Sequence, residues 1–263
     1  MLELDVEPLR SWQKGFDTSR YTSPSLQYEV IEVYRHDAWA FTQGLDWSNG
    51  FLYEGTGSCG KSKSEASRLP TMSRVLLRRQ LPDKYFGEGM AVVNDTIHQL
   101  TWHHNRGFIW NATTLEPLGS FDFKTSTGEG WGLTWNGQHL IVSDGSSTLH
   151  FWDPVTHKTV RKIQVKHKGR PVDNLDELEF AHGHVLANIW LTDLIARIDP
   201  HTGEVMHMLD FSSIYPQIVR DNELTSIDAV LNGIAYDPRE DVLYITGKLW
   251  PRLYKVRLFL TRH

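Results

Sequence analysis

The amino-acid sequence predicts an all-β fold, a five-bladed β-propeller of four-stranded antiparallel blades. Two observations carry this prediction: a short pattern recurs five times, and every copy runs through a turn into a second apolar strand. The copies begin 45, 43, 45 and 56 residues apart. They read QGLDW (43–47), EGMAV (88–92), WGLTW (131–135), DELEF (176–180) and NGIAY (232–236). A repeat of about this length, built of short strands, is typical of a propeller blade.

Each copy is expected to form the innermost strand of its blade. Turn residues such as Asn49-Gly50 and Asn136-Gly137 follow it, and the second strands read FLYEGT, IHQLTW, LIVSDG, VLANIW and VLYITGK. Third and fourth strands follow in most units, separated in two of them by the Asp-Pro-x-Thr turns at 153–156 and 199–202. The polar stretch 61–73 is predicted to be a surface-loop insertion in the first blade.

The ring is predicted to close through a strand from the N-terminal side. The last unit has a third strand at Leu253–Leu260 but no fourth, whereas residues 27–34 precede the first inner strand without a blade of their own. We therefore expect one propeller domain over 26–263, with 1–25 as a peripheral arm.

Composition limits the classes of function. The 263 residues are 40% hydrophobic and 11% aromatic, which suffices for a full core. A net charge of −5 with scattered Lys and Arg predicts no nucleic-acid partner, and the short apolar runs predict no membrane span. A single cysteine, Cys59, excludes an internal disulfide framework and a Cys-rich zinc site. We expect a monomer.

The compartment stays open at this point. The opening residues MLELDVEPLR lack the apolar segment of a signal peptide, so none is predicted in the chain as given. Two glycosylation sequons, at Asn94 and Asn111, are compatible with a secretory compartment.

The residues that open the inner strands are expected to face the central channel at one level. They are Gln43, Glu88, Trp131, Asp176 and Asn232. The second strands end nearby at Trp102, Trp190 and Lys248, and two rings precede the first two strands, Phe41 and Phe86. This predicts a pocket walled by aromatic rings, in which two carboxylates, two amides and one amine converge.

The same segments resemble a known family, the plant-type glutaminyl-peptide cyclotransferases. The resemblance runs in order over roughly residues 35–256, through AFTQGL (40–45), YFGEG (85–89), GEGWGLT (128–134), LDELEF (175–180), NIWLTD (188–193), VLNGIAYD (230–237) and TGKLWP (246–251). It implies a propeller enzyme that converts the N-terminal glutamine of peptides and proteins to pyroglutamate with release of ammonia, without a catalytic metal. Motif by motif, it implies functional roles for Phe41, Gln43, Phe86, Glu88, Trp102, Trp131, Asp176, Trp190 and Lys248.

The implied reaction suits these residue types. The attacking amine and the amide that it attacks both belong to the substrate, so the protein needs no cofactor. It must hold the glutamine side chain folded back on its own amine and transfer one proton. We expect Glu88 to carry that proton, Lys248 and Gln43 to meet the oxyanion, and the aromatic rings with Asn232 to hold the glutamine side chain. Asp176 departs from the family, which usually has Asn in LNELE, and we expect it to slow the reaction.

Two other classes of function remain open on the sequence alone. A calcium-dependent propeller hydrolase or lactonase would use Glu88, Asp176 and Asn232 as oxygen ligands, although Trp131 and Lys248 would crowd and repel the cation. A non-catalytic binding propeller would present its partner surface on blade faces or loops rather than build a closed aromatic pocket. The sequence also leaves open whether a structural divalent cation lies in the channel. His103-His104 is interpreted as a loop pair, because neighbouring strand residues point to opposite faces.

Overall fold

A computed structural model describes residues 26–58, 61–67, 75–224 and 226–260. Five four-stranded antiparallel sheets surround a central channel, which confirms the five-bladed propeller. The first two blades consist of β2 (Thr42–Ser48), β3 (Phe51–Thr56), β4 (Lys63–Ser67) and β5 (Val75–Gln80), and of β6 (Gly87–Val93), β7 (Thr96–Thr101), β8 (Arg106–Asn111) and β9 (Pro117–Asp122).

The third and fourth blades repeat this order. They consist of β10 (Leu133–Trp135), β11 (Leu140–Val142), β12 (Thr148–Trp152) and β13 (Thr159–Gln164), and of β16 (Leu175–Ala181), β17 (His184–Ile189), β18 (Leu194–Ile198) and β19 (Val205–Asp210). A small hairpin joins these blades, and each of its strands, β14 (Lys166–His167) and β15 (Arg170–Pro171), has two residues. A short helix, α1 (Gln217–Glu223), follows the fourth blade.

The fifth blade closes the ring with the predicted N-terminal strand. Its strands are β20 (Leu231–Asp237), β21 (Val242–Gly247), β22 (Arg252–Leu260) and, outermost, β1 (Leu26–Arg35). β1 pairs antiparallel with β22 from Leu26↔Leu260 to Arg35↔Arg252, with one bulge between Val30 and Glu32. Residues 1–25, the expected arm, lie outside the described residues.

The hydrophobic core consists of five clusters, each lying between two adjacent blades. Tyr53 of the first blade packs with Met90 of the second, and Leu100 of the second with Trp152 of the third. The other three clusters fill the remaining interfaces in the same way, up to Leu45 of the first blade against residues of the fifth. Since each blade buries both faces against its neighbours, the ring is held together by apolar contact rather than by crosslinks.

The expected surface-loop insertion at 61–73 is wrong for its first part. Lys63–Ser67 forms β4, which pairs with β3 and with β5. Although the segment is polar, Ala66 joins the cluster around Tyr53, and the buried Glu65 carboxylate bonds Arg78 Nε at 2.6 Å. Paired charges can occupy a buried strand, so composition alone misread it. Residues 68–73 lie outside the described residues.

A β-bulge interrupts the pairing of the first two strands in four of the five blades. The register shifts fall at Thr42/Gly44, Gly87/Met90, Leu175/Leu178 and Leu231/Ile234. A bulged residue leaves the regular ladder and its side chain is re-aimed. In these four blades the bulged residues include Gln43, Glu88, Asp176 and Asn232.

Close packing of the inner strands explains why a lone carboxylate, Glu88, stands between two glycines. A Cβ added to Gly89 would come within 2.5 Å of Leu133 N and Trp131 O, backbone atoms of the next blade. Gly132 is equally confined, because its Cβ would lie 2.1 Å from Asp176 O. Only glycine permits this approach of neighbouring backbones.

Where the fourth blade has Glu177 instead of a glycine, its side chain crosses the channel. One carboxylate oxygen accepts Leu45 N of the first blade at 3.2 Å, and the other accepts Ile234 N of the fifth blade at 2.9 Å. The carboxylate thus satisfies inner-edge N–H groups that have no strand partner. Within the described part of the chain, no helix has the length and apolar character needed to cross a membrane.

Candidate active site

The structure brings the sequence-predicted site residues together at one end of the channel. Gln43, Glu88, Asp176 and Asn232 are each the second residue of an inner strand and lie at its bulge. Trp131 lies two residues before β10, and its carbonyl accepts Gly89 N at 2.7 Å. Trp102, Trp190 and Lys248 each follow directly on a second strand.

An oriented chain of hydrogen bonds joins three of the polar residues. Asn232 Nδ2 donates to Gln43 Oε1 at 3.2 Å and to Thr42 O at 2.9 Å. Gln43 Nε2 in turn donates to Glu88 Oε1 at 3.0 Å. Since an amide has one acceptor end and one donor end, Asn232 fixes which end of Gln43 faces Glu88. Asn232 is thus placed behind Gln43 and orients it.

A buried ion pair lies beside this chain. Lys248 Nζ donates to Asp176 Oδ2 at 3.0 Å, and the side chains are only 5% and 2% exposed. The same amine lies 5.4 Å from the centre of the Phe41 ring, within the range of a cation–π contact. Asp176 therefore holds Lys248 in place and neutralises its charge.

The environment of Glu88 raises the pKa of its carboxyl well above the ordinary value. Burial is the largest cause, and the negative charges of Asp176 and Glu129 add to it, whereas Lys248 and the Gln43 hydrogen bond oppose it. Gln43 is the single hydrogen-bond partner of this carboxylate in the described part of the chain. A carboxyl whose pKa is raised holds a proton more readily than an ordinary one, so it is suited to accept a proton and return it.

The aromatic residues form an arc around the polar groups. Ring centres are 6.1 Å apart for Phe41–Phe86, 5.7 Å for Phe86–Trp102 and 5.6 Å for Trp131–Trp190. All five rings are partly exposed, whereas Gln43, Glu88, Asp176, Asn232 and Lys248 are buried. The rings thus stand nearer to solvent than the polar groups do.

Sequence reasoning missed Glu129, which connects the two halves of the arc. Its Oε2 accepts the indole N–H of Trp102 at 2.9 Å and that of Trp131 at 2.8 Å. Its other oxygen lies 3.3 Å from His103 Nδ1. The available signal was a second Gly-Glu-Gly at 128–130, matching the one around Glu88. We name the five rings and Glu129 the aromatic arc.

Of the groups considered as calcium ligands, Asp176 is bound to Lys248 and Glu88 accepts from Gln43. The Asn232 amide nitrogen donates to Gln43 and Thr42, whereas its amide oxygen has no hydrogen-bond partner among the described residues. No group of three or more His, Cys, Asp or Glu side chains positioned to share a metal ion is found over the described ranges. His103 of the loop pair stacks on Trp102 with ring centres 3.7 Å apart.

Comparison with known proteins agrees with the fold and shows the family. The model of the family described as "Glutamine cyclotransferase" matches residues 7–258. A glutaminyl-peptide cyclotransferase of Arabidopsis thaliana is 38% identical over 253 residues, which cover 95% of this chain and 78% of the relative. The crystal structure of Myxococcus xanthus glutaminyl cyclase superposes with a TM-score of 0.83 at 34% identity, over 91% of this chain and 99% of the other.

The fold and these relatives define an enzyme, a cyclising acyltransferase of the glutaminyl cyclase class. The chain belongs to the glutamine cyclotransferase family, as its sequence motifs indicated.

Proposed function

We propose that the site converts the N-terminal glutamine of peptides and proteins to pyroglutamate, with Glu88 as the proton carrier. The observation that carries the proposal is the environment of Glu88, a buried carboxyl of raised pKa with one hydrogen-bond partner in the described chain. Family membership supports the reaction class, and the geometry supports the assignment of roles.

The aromatic arc would hold the glutamine side chain folded back on its own amine. In the substrate, the α-amine must reach the γ-carbonyl carbon to close a five-membered ring. Restricting the side-chain torsions converts much of the entropic cost of that closure into binding. The rings from Phe41 to Trp190 are suited to this, because rings that meet edge to face or at a tilt leave a narrow space, which excludes extended conformers of a short side chain.

Glu88 would transfer one proton from the attacking nitrogen to the leaving nitrogen. As the α-amine nitrogen bonds to the side-chain amide carbon, Cδ, it loses a proton to Glu88. The same proton is returned to the amide nitrogen, the bond between Cδ and that nitrogen breaks, and ammonia leaves. One carboxyl can perform both transfers when its pKa lies near the working pH, which the burial of Glu88 favours.

Two donors are available for the oxyanion that forms on the γ-carbonyl oxygen. Gln43 retains a second amide N–H after its bond to Glu88. The Lys248 ammonium retains two N–H groups after its bond to Asp176. Donors fixed before the reaction stabilise developing charge without a cost of reorientation.

The proposed chemistry uses no cofactor, because nucleophile and leaving group both come from the substrate. This separates it from the calcium-dependent hydrolase considered above. Prolonged chelation followed by dialysis should leave the turnover of a Gln-peptide in place. Loss of turnover, restored by a divalent cation, would instead support a metal in the mechanism or the channel.

The central test replaces Glu88 by Gln, which keeps the size of the side chain and removes the basic carboxylate. Turnover of a Gln-first peptide, followed by the loss of ammonia in mass spectrometry, should fall by about a hundredfold or more. Circular dichroism and the unfolding midpoint check that the variant is folded. Comparable turnover in a folded Glu88→Gln protein would remove Glu88 from the mechanism.

A further inference from the structure

A cleft opens beside the aromatic arc, between the first blade and the turn that precedes it. Its volume is about 540 Å³, and its walls include Trp39, Phe41, Lys61, Lys63, Phe86 and Leu249. Phe41 and Phe86 also belong to the arc, so the cleft and the glutamine pocket share a wall. A chain that leaves the pocket past these two rings enters the cleft.

Trp39 gives the cleft an apolar platform. Its side chain is 90% exposed, so the indole adds little to the stability of the fold. The turn that carries it is nevertheless well defined, because Trp39 N donates to Asp37 Oδ1 at 3.0 Å and Ala40 N to Asp37 O at 2.9 Å. Leu249 N donates to Ala40 O at 2.8 Å, which ties the turn to the residue after Lys248.

Four charged residues line the cleft, the two lysines Lys61 and Lys63 and the two carboxylates Asp37 and Glu65. Glu65 is neutralised by Arg78, whose Nε lies 2.6 Å from Oε1, and by Lys63 at 3.8 Å. The Asp37 carboxylate caps its own turn. Lys61 is exposed and forms no ion pair with another residue in the described ranges. A carboxylate in the cleft would therefore meet the Lys61 amine without displacing a partner among the described residues.

We propose that this cleft is a subsite for the residues that follow the N-terminal glutamine, and that it favours an aromatic second residue and an acidic third one. The proposal rests on the proposed function, since it assumes that glutamine occupies the neighbouring pocket. Trp39 supplies the stacking surface, and Lys61 supplies the charge. The volume admits about two residues, so selectivity ends there.

The first experiment measures kcat/KM for glutamine amide, Gln-Gly amide and Gln-Phe amide with the parent protein and Trp39→Ala. The parent should prefer Gln-Phe amide to Gln-Gly amide, and Trp39→Ala should reduce that preference by about threefold or more, as expected for a lost aromatic contact. Val155→Ala is the matched control, because Val155 is also highly exposed, at 83%, and does not line the cleft. The control should keep the parent's preference.

The second experiment compares Gln-Phe-Glu amide with Gln-Phe-Lys amide. The parent should favour the acidic peptide by about two- to fivefold at low salt, and Lys61→Glu should reverse the order. Lys158→Glu is the matched control, because it changes the net charge by the same amount at an exposed site outside the cleft. It should leave the preference for the acidic peptide unchanged. If Trp39→Ala and Lys61→Glu turn over all substrates with the same preferences as the parent, the proposal of a subsite is wrong. Absence of turnover even with glutamine amide in the parent overturns the proposed function instead.

Discussion

The carboxylate at position 176 affects two neighbours at once. It binds Lys248 at 3.0 Å, and its negative charge contributes to the raised pKa of Glu88. An asparagine there would have the same shape, could donate a hydrogen bond, and would carry no charge. Asp176 therefore sets both the availability of the Lys248 amine and the pH at which Glu88 becomes a base.

Replacing Asp176 by Asn should raise kcat/KM for Gln-peptides severalfold, because the Lys248 ammonium is no longer neutralised by a carboxylate. The pKa of Glu88 should fall, since a negative neighbour is removed while the positive one remains. The acidic limb of the pH–rate profile should accordingly move to lower pH. A pH series on both proteins with one fluorogenic Gln substrate measures this. Slower turnover of the variant at every pH would identify Asp176 as an adapted catalytic group.

The Glu129 carboxylate is expected to position Trp102 and Trp131 of the aromatic arc through the two indole hydrogen bonds that it accepts. Glu129→Gln keeps an acceptor oxygen for Trp102 and Trp131, whereas Glu129→Ala removes it. We expect Glu129→Ala to raise KM by about tenfold, corresponding to the loss of two hydrogen bonds of ordinary strength. Glu129→Gln should stay close to the parent in KM and lower the pKa of Glu88, because a negative charge is lost.

The comparison of these two variants in steady-state kinetics decides between hydrogen bonding and charge. Equal rises of KM in both would show that the charge of Glu129, rather than its hold on the indoles, matters for binding. Tryptophan fluorescence gives a second readout, since only Glu129→Ala should change the environment of the two indoles.

The site residues predicted from the sequence were those that occur once per blade. Gln43, Glu88, Asp176 and Asn232 share one position in the repeat, and the structure places them at equivalent bulges. Glu129 shares the Gly-Glu-Gly context of Glu88 but does not occupy that position of the repeat, and its partners, the indole nitrogens of two different blades, are set by the folded geometry. The orientation of the Asn232 and Gln43 amides likewise depends on contacts across the channel that no local pattern encodes.

At the scale of elements, the same reasoning succeeded for inner strands and failed for β4. Inner strands are apolar and begin with a repeated motif, so their existence followed from the sequence. Lys63–Ser67 carries the charges Lys63 and Glu65, and its burial depends on Arg78 of the neighbouring strand. A polar strand whose charges are paired across the sheet has the composition of a loop.

A pair of buried histidines joins the second and third blades. His98 Nδ1, on β7, lies 2.9 Å from His157 Nε2, in the turn between β12 and β13, and His157 stacks on Phe121. Burial lowers the pKa of both rings to about 4, and for His98 the neighbouring ring adds to the effect. Both histidines are therefore neutral in the folded protein at neutral pH.

This pair predicts a loss of stability in mild acid. Between about pH 6.5 and about pH 4 the unfolded chain binds protons at these positions and the folded protein does not, so the free energy of unfolding falls as the pH falls. His98→Gln, whose amide does not titrate, should flatten the decline of Tm over this window. Differential scanning fluorimetry from pH 7.5 to 4.5 measures it. An identical slope in parent and variant would assign the acid sensitivity to other groups.

At the scale of the whole molecule, two buried carboxyls and one half-buried carboxyl connect the inner strands around the channel. Glu177 joins the fourth blade to the first and the fifth, and Glu179 accepts Tyr236 N of the fifth at 3.1 Å. Asp46 joins the first blade to the second by accepting Val92 N at 2.6 Å. These contacts add directional bonds at the axis to the apolar clusters between the blades.

Removal of the Glu177 carboxyl, which contacts two other blades, should destabilise the propeller. Glu177→Ala leaves Leu45 N and Ile234 N without their acceptors, which should lower the free energy of unfolding by about 2–6 kcal/mol. Chemical denaturation measures this, with the exposed Asp173→Ala as a matched control that should change little. A loss in Glu177→Ala no larger than in the control would mean that the two N–H groups find other acceptors.

The charge of Glu177 has a separate effect on pH dependence. Burial, followed by the charge of Glu179, raises its pKa well above the ordinary value. For a carboxyl whose pKa is raised on folding, stability decreases as the pH rises from the unfolded pKa toward the folded one. Glu177→Gln should therefore lose less stability than the parent over that rise in pH.

The pairing of β1 with β22 gives the chain an order of assembly. Strand partners in the first four blades are close in sequence, so these blades can form as the polypeptide emerges during translation. The fifth blade joins Leu26 to Leu260, and its outer edge stays unpaired until almost the whole chain has been synthesised. Because these two residues face each other, a short linker between them, with new ends opened in a surface turn, would yield a circular permutant whose five blades are all consecutive in sequence.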